Sequence, residues 1–97
     1  MFTNQRYATR GVAEQIPNYL QNLLWHLTDT METAKKDHLQ IFRLSDKNKK
    51  QCIIHDQEQP PYHQEYLIDS GGFSVVDGKV YLLDDGQRST MLLAEEY

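Results

Sequence analysis

Residues 16–31 read IPNYLQNLLWHLTDTM, and the fold turns on how this stretch is read. Ile16, Leu20, Leu23, Leu24, Leu27 and Met31 recur at i, i+3, i+4 and i+7 spacing and fall in one stripe of an α-helix. Fully burying these six side chains together contributes about 10–15 kcal/mol before chain entropy is subtracted. No other segment offers so large a continuous apolar face, so the rest of the chain is expected to pack on this helix. Pro17 suits a first helical turn, and the apolar period ends across Glu32–Lys36.

Trp25 departs from the stripe. At about 100° per residue it points away from the leucines, among Gln21, Asn22, Thr28 and Asp29. A tryptophan ringed by polar residues has the make-up of an interface hot spot. In the other reading the N-terminal arm (Phe2, Tyr7) or Tyr97 folds over it. Both readings stay open at this point.

Outward from the helix, the sequence reads as strands and turns. Residues 5–11 suit a short strand or extended arm with Gly11 as a breaker. Leu39–Leu44 is a strand, Ser45–Lys50 a polar turn with a basic tip, and Cys52–His55 the returning strand. Gln59-Pro60-Pro61-Tyr62 must interrupt the ladder, because proline cannot sit inside a central strand. The last third reads as a meander: Tyr66–Ile68, Gly71-Gly72, Phe73–Val76, then an Asp77-Gly78 hairpin into Lys79–Leu83. Asp85-Gly86 turns again into Thr90–Leu93. The expected architecture is α+β, one long amphipathic helix on an antiparallel, meander-type sheet of about five to six strands.

These strands carry apolar residues on both faces. Leu39 and Ile41 alternate with Phe42 and Leu44, and Val80 and Leu82 with Tyr81 and Leu83. One helix covers one face only. The sheet therefore either curls toward a small barrel or offers its second face to another copy or a partner.

The 97 residues suffice for a single domain, 1–97. A formal net charge of −4 argues against nonspecific binding to nucleic acid or an anionic membrane. The single cysteine, Cys52, rules out a disulfide framework and a cysteine-rich zinc site, and its strand context points to a buried thiol. The N-terminus has no apolar leader and no run is long enough to span a membrane, so a cytoplasmic protein is expected.

Chemistry-bearing residues are densest over 55–66. His55, Glu58, His63 and Glu65 supply imidazole and carboxylate, but at no metal-motif spacing. Pro60-Pro61-Tyr62 is either a preorganised docking surface or a rigid connector. Asp77, Asp84 and Asp85 each abut a glycine turn, where aspartate bonds the backbone, and no calcium loop surrounds them. Lys47, Lys49 and Lys50 read as a solvated hairpin tip. No metal, cofactor or catalytic set is called for.

Taken together, RYATRGV at 6–12, the LLW of the helix, QEQPPY at 57–62 and STMLL at 89–93 resemble domain-of-unknown-function family 960. These are small proteins of low-GC Gram-positive bacteria, and the resemblance covers nearly the whole chain. It implies a bacterial cytoplasmic protein and brings no catalytic or binding residues with it. The doubly apolar strands, the outward Trp25 and the Pro-Pro-Tyr loop point to non-enzymatic contact with a protein partner or a second copy, through Trp25, Pro61 and Tyr62. The alternative is a small metal- or ligand-binding enzyme using His55, Glu58 and His63.

Overall fold

A computed structural model describes Met1–Tyr97 throughout. Strand β1 is Gln5–Ala8, and Thr9 then caps helix α1 (Arg10–Gln15), its hydroxyl accepting the Val12 N–H at 3.3 Å. Gly11 lies inside α1 rather than breaking the chain. A Cβ there would meet Glu96 Oε2 at 2.7 Å and Leu93 Cδ1 at 2.8 Å, so glycine permits the close approach of the C-terminal tail. Pro17 ends the first helical run by forcing Ile16 into extended backbone. Helix α2 then occupies Asn18–Thr30, and the Gln21 side chain donates to Ile16 O at 2.7 Å across the junction.

Five further strands follow: β2 (Leu39–Lys47), β3 (Lys50–Gln57), β4 (Tyr62–Ile68), β5 (Gly78–Asp84) and β6 (Arg88–Leu93). They form one six-stranded sheet in the order β1-β6-β5-β2-β3-β4. The pair β1–β6 is parallel and every other pair is antiparallel. The β2–β3 hairpin is tighter than expected. Its two-residue turn is Asn48-Lys49, with φ of 55° and 66°, and the strands run up to it on both sides.

The expected architecture needs correcting on four points. The helix stops at 13 residues, so the molecule is mostly sheet rather than organised on one long helix. The sheet is mixed, because the N-terminal arm adds beside β6 in parallel. It is not a meander either: β5 pairs with β2, while β4 stays at the edge. Phe73–Val76 forms no strand, and Asp77-Gly78 closes no hairpin. The segment 69–77 instead carries the chain past the ends of β3 and β2. The Gln51 amide clamps the Val76 backbone, accepting its N–H at 2.8 Å and donating to its O at 3.0 Å. Phe73 stacks on Tyr19 of α2, with ring centroids 4.9 Å apart. Finally, the sheet does not curl into a barrel, since β1 and β4 remain separate edges.

The apolar stripe itself is buried. Ile16, Leu20, Leu24 and Leu27 join Phe2, Val12, Phe42, Leu44, Ile53, Val80, Leu82, Met91 and Leu93 in one core, with Leu23 half-buried beside it. The N-terminus is latched onto this core. The Phe2 N–H donates to Asp84 Oδ2 at 2.6 Å while the Phe2 ring is buried. Burial pushes the Asp84 carboxyl up, but bonds from Phe2 N–H, Gly86 N–H and the Asn4 amide outweigh it and hold it below its usual range. No helix is long and apolar enough to cross a membrane.

Candidate functional site

Strand alternation divides the sheet residues between a face covered by the helices and a face left open. On the covered side, Gln40, Phe42 and Leu44 of β2 lie beside Gln57, His55 and Ile53 of β3 and Leu82 and Val80 of β5. Three of these are polar and form a chain of hydrogen bonds. Gln40 Oε1 accepts the Nε2–H of His55 at 2.7 Å, and Gln40 Nε2 donates to Gln57 Oε1 at 2.7 Å. Gln57 Oε1 also accepts the Asp37 N–H at 2.8 Å, and its Nε2 donates to Pro60 O at 2.8 Å and Lys35 O at 3.0 Å. The network thereby holds segment 32–38 and the turn 58–61 together.

Because an amide oxygen only accepts, the His55 proton sits on Nε2. Its Nδ1 is buried and has no partner. The ring stacks on Phe42 with centroids 4.2 Å apart and meets the edge of Tyr62 at 5.1 Å. Burial drives its pKa down to about 4, against a small opposing pull from Asp56. His55 is therefore a neutral core residue near pH 7.

The open side carries Leu39, Ile41 and Arg43 of β2, Ile54 and Asp56 of β3, His63, Glu65 and Leu67 of β4, and Lys79, Tyr81 and Leu83 of β5. A groove of about 910 Å³ runs across it, bounded by Pro61 and Tyr62 on one side and Tyr97 on the other. Tyr97 reaches this side through a short 3-10 turn, Ala94–Glu96, and meets Tyr81 edge-on at 5.3 Å. Glu96 pins that turn, accepting the Thr9 hydroxyl at 2.6 Å and the Leu93 N–H at 2.7 Å. At the groove floor Asp56 pairs with Arg43 at 2.5 Å and with His63 Nδ1 at 2.5 Å, while His63 Nε2 lies 3.0 Å from Glu65. Glu65 and Asp56 together hold the His63 pKa above its ordinary value. Lys79 Nζ sits 5.4 Å from the Tyr81 ring centre, and the Arg88 guanidinium lies 5.7 Å from that of Tyr7.

The structure separates several residues that the sequence places close together. Asp56 pairs in register with His63, so His55 and His63 project from opposite faces of the sheet. Glu58 lies in the turn, on the groove side with His63. Thus His55, Glu58 and His63 do not converge on one point. Pro61 and Tyr62 do meet at the groove margin, and burial, with Tyr66 and Glu32 nearby, pushes the Tyr62 phenol up to about 12. Trp25 is on the other side of the molecule. It is half-buried, with the Arg6 guanidinium 4.6 Å from its ring centre, and Arg6 also pairs with Asp29. The arm that covers it is β1, through arginine rather than an aromatic ring. Cys52 is buried.

Sequence reasoning passed over Arg43, Lys79 and Tyr81 as site residues, and offered Tyr97 as a cover for Trp25 where the structure sets it at the groove. The odd positions of 39–43 and 79–83 would have found the first three once β2 and β5 were paired.

The family model described as "Staphylococcal protein of unknown function (DUF960)" matches residues 5–96. The chain belongs to this family. A comparison with curated proteins gives no match. Among solved structures, the DUF960 chain is similar to a "protein of unknown function from Enterococcus faecalis", at 26% identity and a TM-score of 0.83. The likeness covers 97% of this chain and 91% of that one. The open sheet thus belongs to a fold this chain shares with that enterococcal protein.

Proposed function

We propose that the protein is a non-enzymatic binding module that docks an acidic, extended segment of a protein partner across the open face of its sheet. The observation that carries this reading is the charge on that face. Arg43, Lys47, Lys50, Lys79 and Arg88 project there against Asp56, Glu58 and Glu65, in a chain whose net charge is −4. The acidic excess therefore lies elsewhere on the molecule. Between the cations run Leu39, Ile41, Tyr81 and Tyr97, which suit the apolar side chains of an extended segment. A second copy laid face to face would set cations against cations, so the face selects a different chain.

The test is a titration of a peptide alternating Glu with Leu and Tyr, followed by backbone amide NMR. Shifts should cluster at Ile41, Arg43, Lys79 and Tyr81, and binding should weaken with salt. The charge reversals Arg43→Glu and Lys79→Glu should each weaken it about tenfold. Shifts confined to the helical side, or tighter binding of a single-stranded oligonucleotide than of the peptide, would overturn the reading.

A further inference from the structure

The two edges of the sheet are built differently. Edge strand β1 is four residues long and pairs in parallel. Edge strand β4 keeps unbroken register with β3 over its whole length, Tyr62↔Gln57 through Ile68↔Gln51. Its sequence, YHQEYLI, contains no proline, glycine or lysine, which are common ways for proteins to blunt an exposed edge. None of the backbone hydrogen bonds outside the regular elements reaches it. Alternate N–H and C=O groups of β4 therefore face solvent as an open template.

We infer that β4 pairs antiparallel with β4 of a second copy, in the register that sets His63 opposite the partner's Glu65. Two-fold symmetry then fixes every other pair. Glu65 faces the partner's His63, Gln64 faces the partner's Gln64, and Tyr62 faces the partner's Tyr66. On the open face, Leu67 falls opposite the partner's Pro61. Every position thus meets a compatible side chain, and His63 and Glu65 form a checkerboard of alternating charge across the symmetry axis. Both ionisable side chains are more than half exposed, at 55% and 58%, so a second chain can reach them. The neighbouring face-matched registers are excluded by the same chemistry. One sets His63 against the partner's His63, and the other sets Glu65 against the partner's Glu65. Arg43 and Asp56, the remaining charges beside His63, already pair with each other and leave the checkerboard balanced. The product is a twelve-stranded sheet with two grooves side by side, each margined by Pro61 and Tyr62. This interface borders the acidic-segment groove at Pro61, Tyr62 and His63 but pairs backbone along the β4 edge, and neither requires the other.

The register makes a test with paired variants. Sedimentation velocity across a concentration series should show the wild-type chain passing from one 11.4 kDa chain to two. H63E sets Glu against Glu at both pairs, and E65K sets His against Lys, so each alone should dimerise at least about tenfold more weakly. Mixed, the two variants should form a heterodimer, because opposite charges return at both pairs. The introduced glutamate of one chain meets the introduced lysine of the other, and the retained Glu65 meets the partner's His63. Circular dichroism and thermal unfolding of each variant establish that it is folded before association is read. A wild-type chain that stays monomeric at millimolar concentration would overturn the inference. So would variants that dimerise as the wild type does, or folded variants that fail to associate when mixed.

Discussion

The two faces of the sheet solve the same packing problem in opposite ways, and a histidine on each reports the difference. His55 is fully buried against Phe42 and Gln40, and burial lowers its pKa. His63, on the next strand and the opposite face, is exposed between Asp56 and Glu65, and those carboxylates raise its pKa. One ring is kept neutral by desolvation and the other is drawn toward its charged form by its neighbours. The covered face is thus the part that stabilises the fold, and the open face is free to be used.

The largest test of that contrast removes a matched aromatic from each side. Phe42 is completely buried, so Phe42→Ala should cost about 3–5 kcal/mol in urea unfolding. Tyr81→Ala, on the open face, should cost under about 1 kcal/mol while weakening the acidic peptide. Equal losses at the two positions would mean that the open face is covered in solution.

The histidines should then give pH dependences of opposite sign. The unfolded chain protonates His55 near 6.5 and the folded chain only near 4. The His55 contribution should therefore be complete above pH 6.5 and fall by about 3 kcal/mol as pH drops toward 4, at about 1.4 kcal/mol per unit. His63 works the other way. Its raised pKa contributes stability below 6.5 that is lost as pH rises through its folded value. Urea midpoints measured against pH for His55→Phe and His63→Gln separate the two: the first should flatten the acid limb, the second the limb near neutrality.

A smaller effect concerns the polar network inside the covered face. Gln57→Leu keeps the side-chain bulk but strands the Asp37 N–H and Pro60 O, and should cost about 1–3 kcal/mol. Hydrogen exchange should quicken at Asp37 and in the turn 58–61, with little change in β5 and β6. Loss confined to β5 and β6 would show that the network does not hold those segments.

Much of the covered face was legible in the sequence because helical period is a local signal. Leu20, Leu24 and Leu27 mark it without knowledge of any partner. The insertion of β5 beside β2 was not legible. It is set by contacts distant in sequence, Gln51 with Val76 and Tyr19 with Phe73, and Asp77-Gly78 carries a hairpin signal that those contacts override. The parallel β1–β6 pair is likewise a long-range event with no local mark. For the candidate site, Pro61 and Tyr62 stood out because proline punctuates any sequence, whereas Arg43, Lys79 and Tyr81 look ordinary until strand pairing sets them on one face. Gln40 and Gln57 carry polar amides that no local signal marks for the core. Only the match between their amides makes them core.

The smallest expected effect lies at Trp25, where the sequence left two readings and the structure shows a lid made of arginine. Arg6 spans from the Phe2 carbonyl, at 3.1 Å, to Asp29 on the helix, and lays its guanidinium over the indole on the way. Such a contact at a partly exposed site is worth about 0.5–1 kcal/mol, so Arg6→Ala should lower stability by that much and no more. Losing the lid should also bring water to the ring and shift Trp25 emission to the red in the folded state. Arg6→Lys keeps the charge but not the flat stacking group, and should recover part of the stability with little of the shielding. Trp25→Ala then discriminates between lid and hot spot. If the indole serves only as the platform for Arg6, removing it should leave peptide binding on the far face and the β4 pairing unchanged. A loss of either in a folded Trp25→Ala chain would mean that the helical side takes part in recognition, and the division of labour between the two faces would fail.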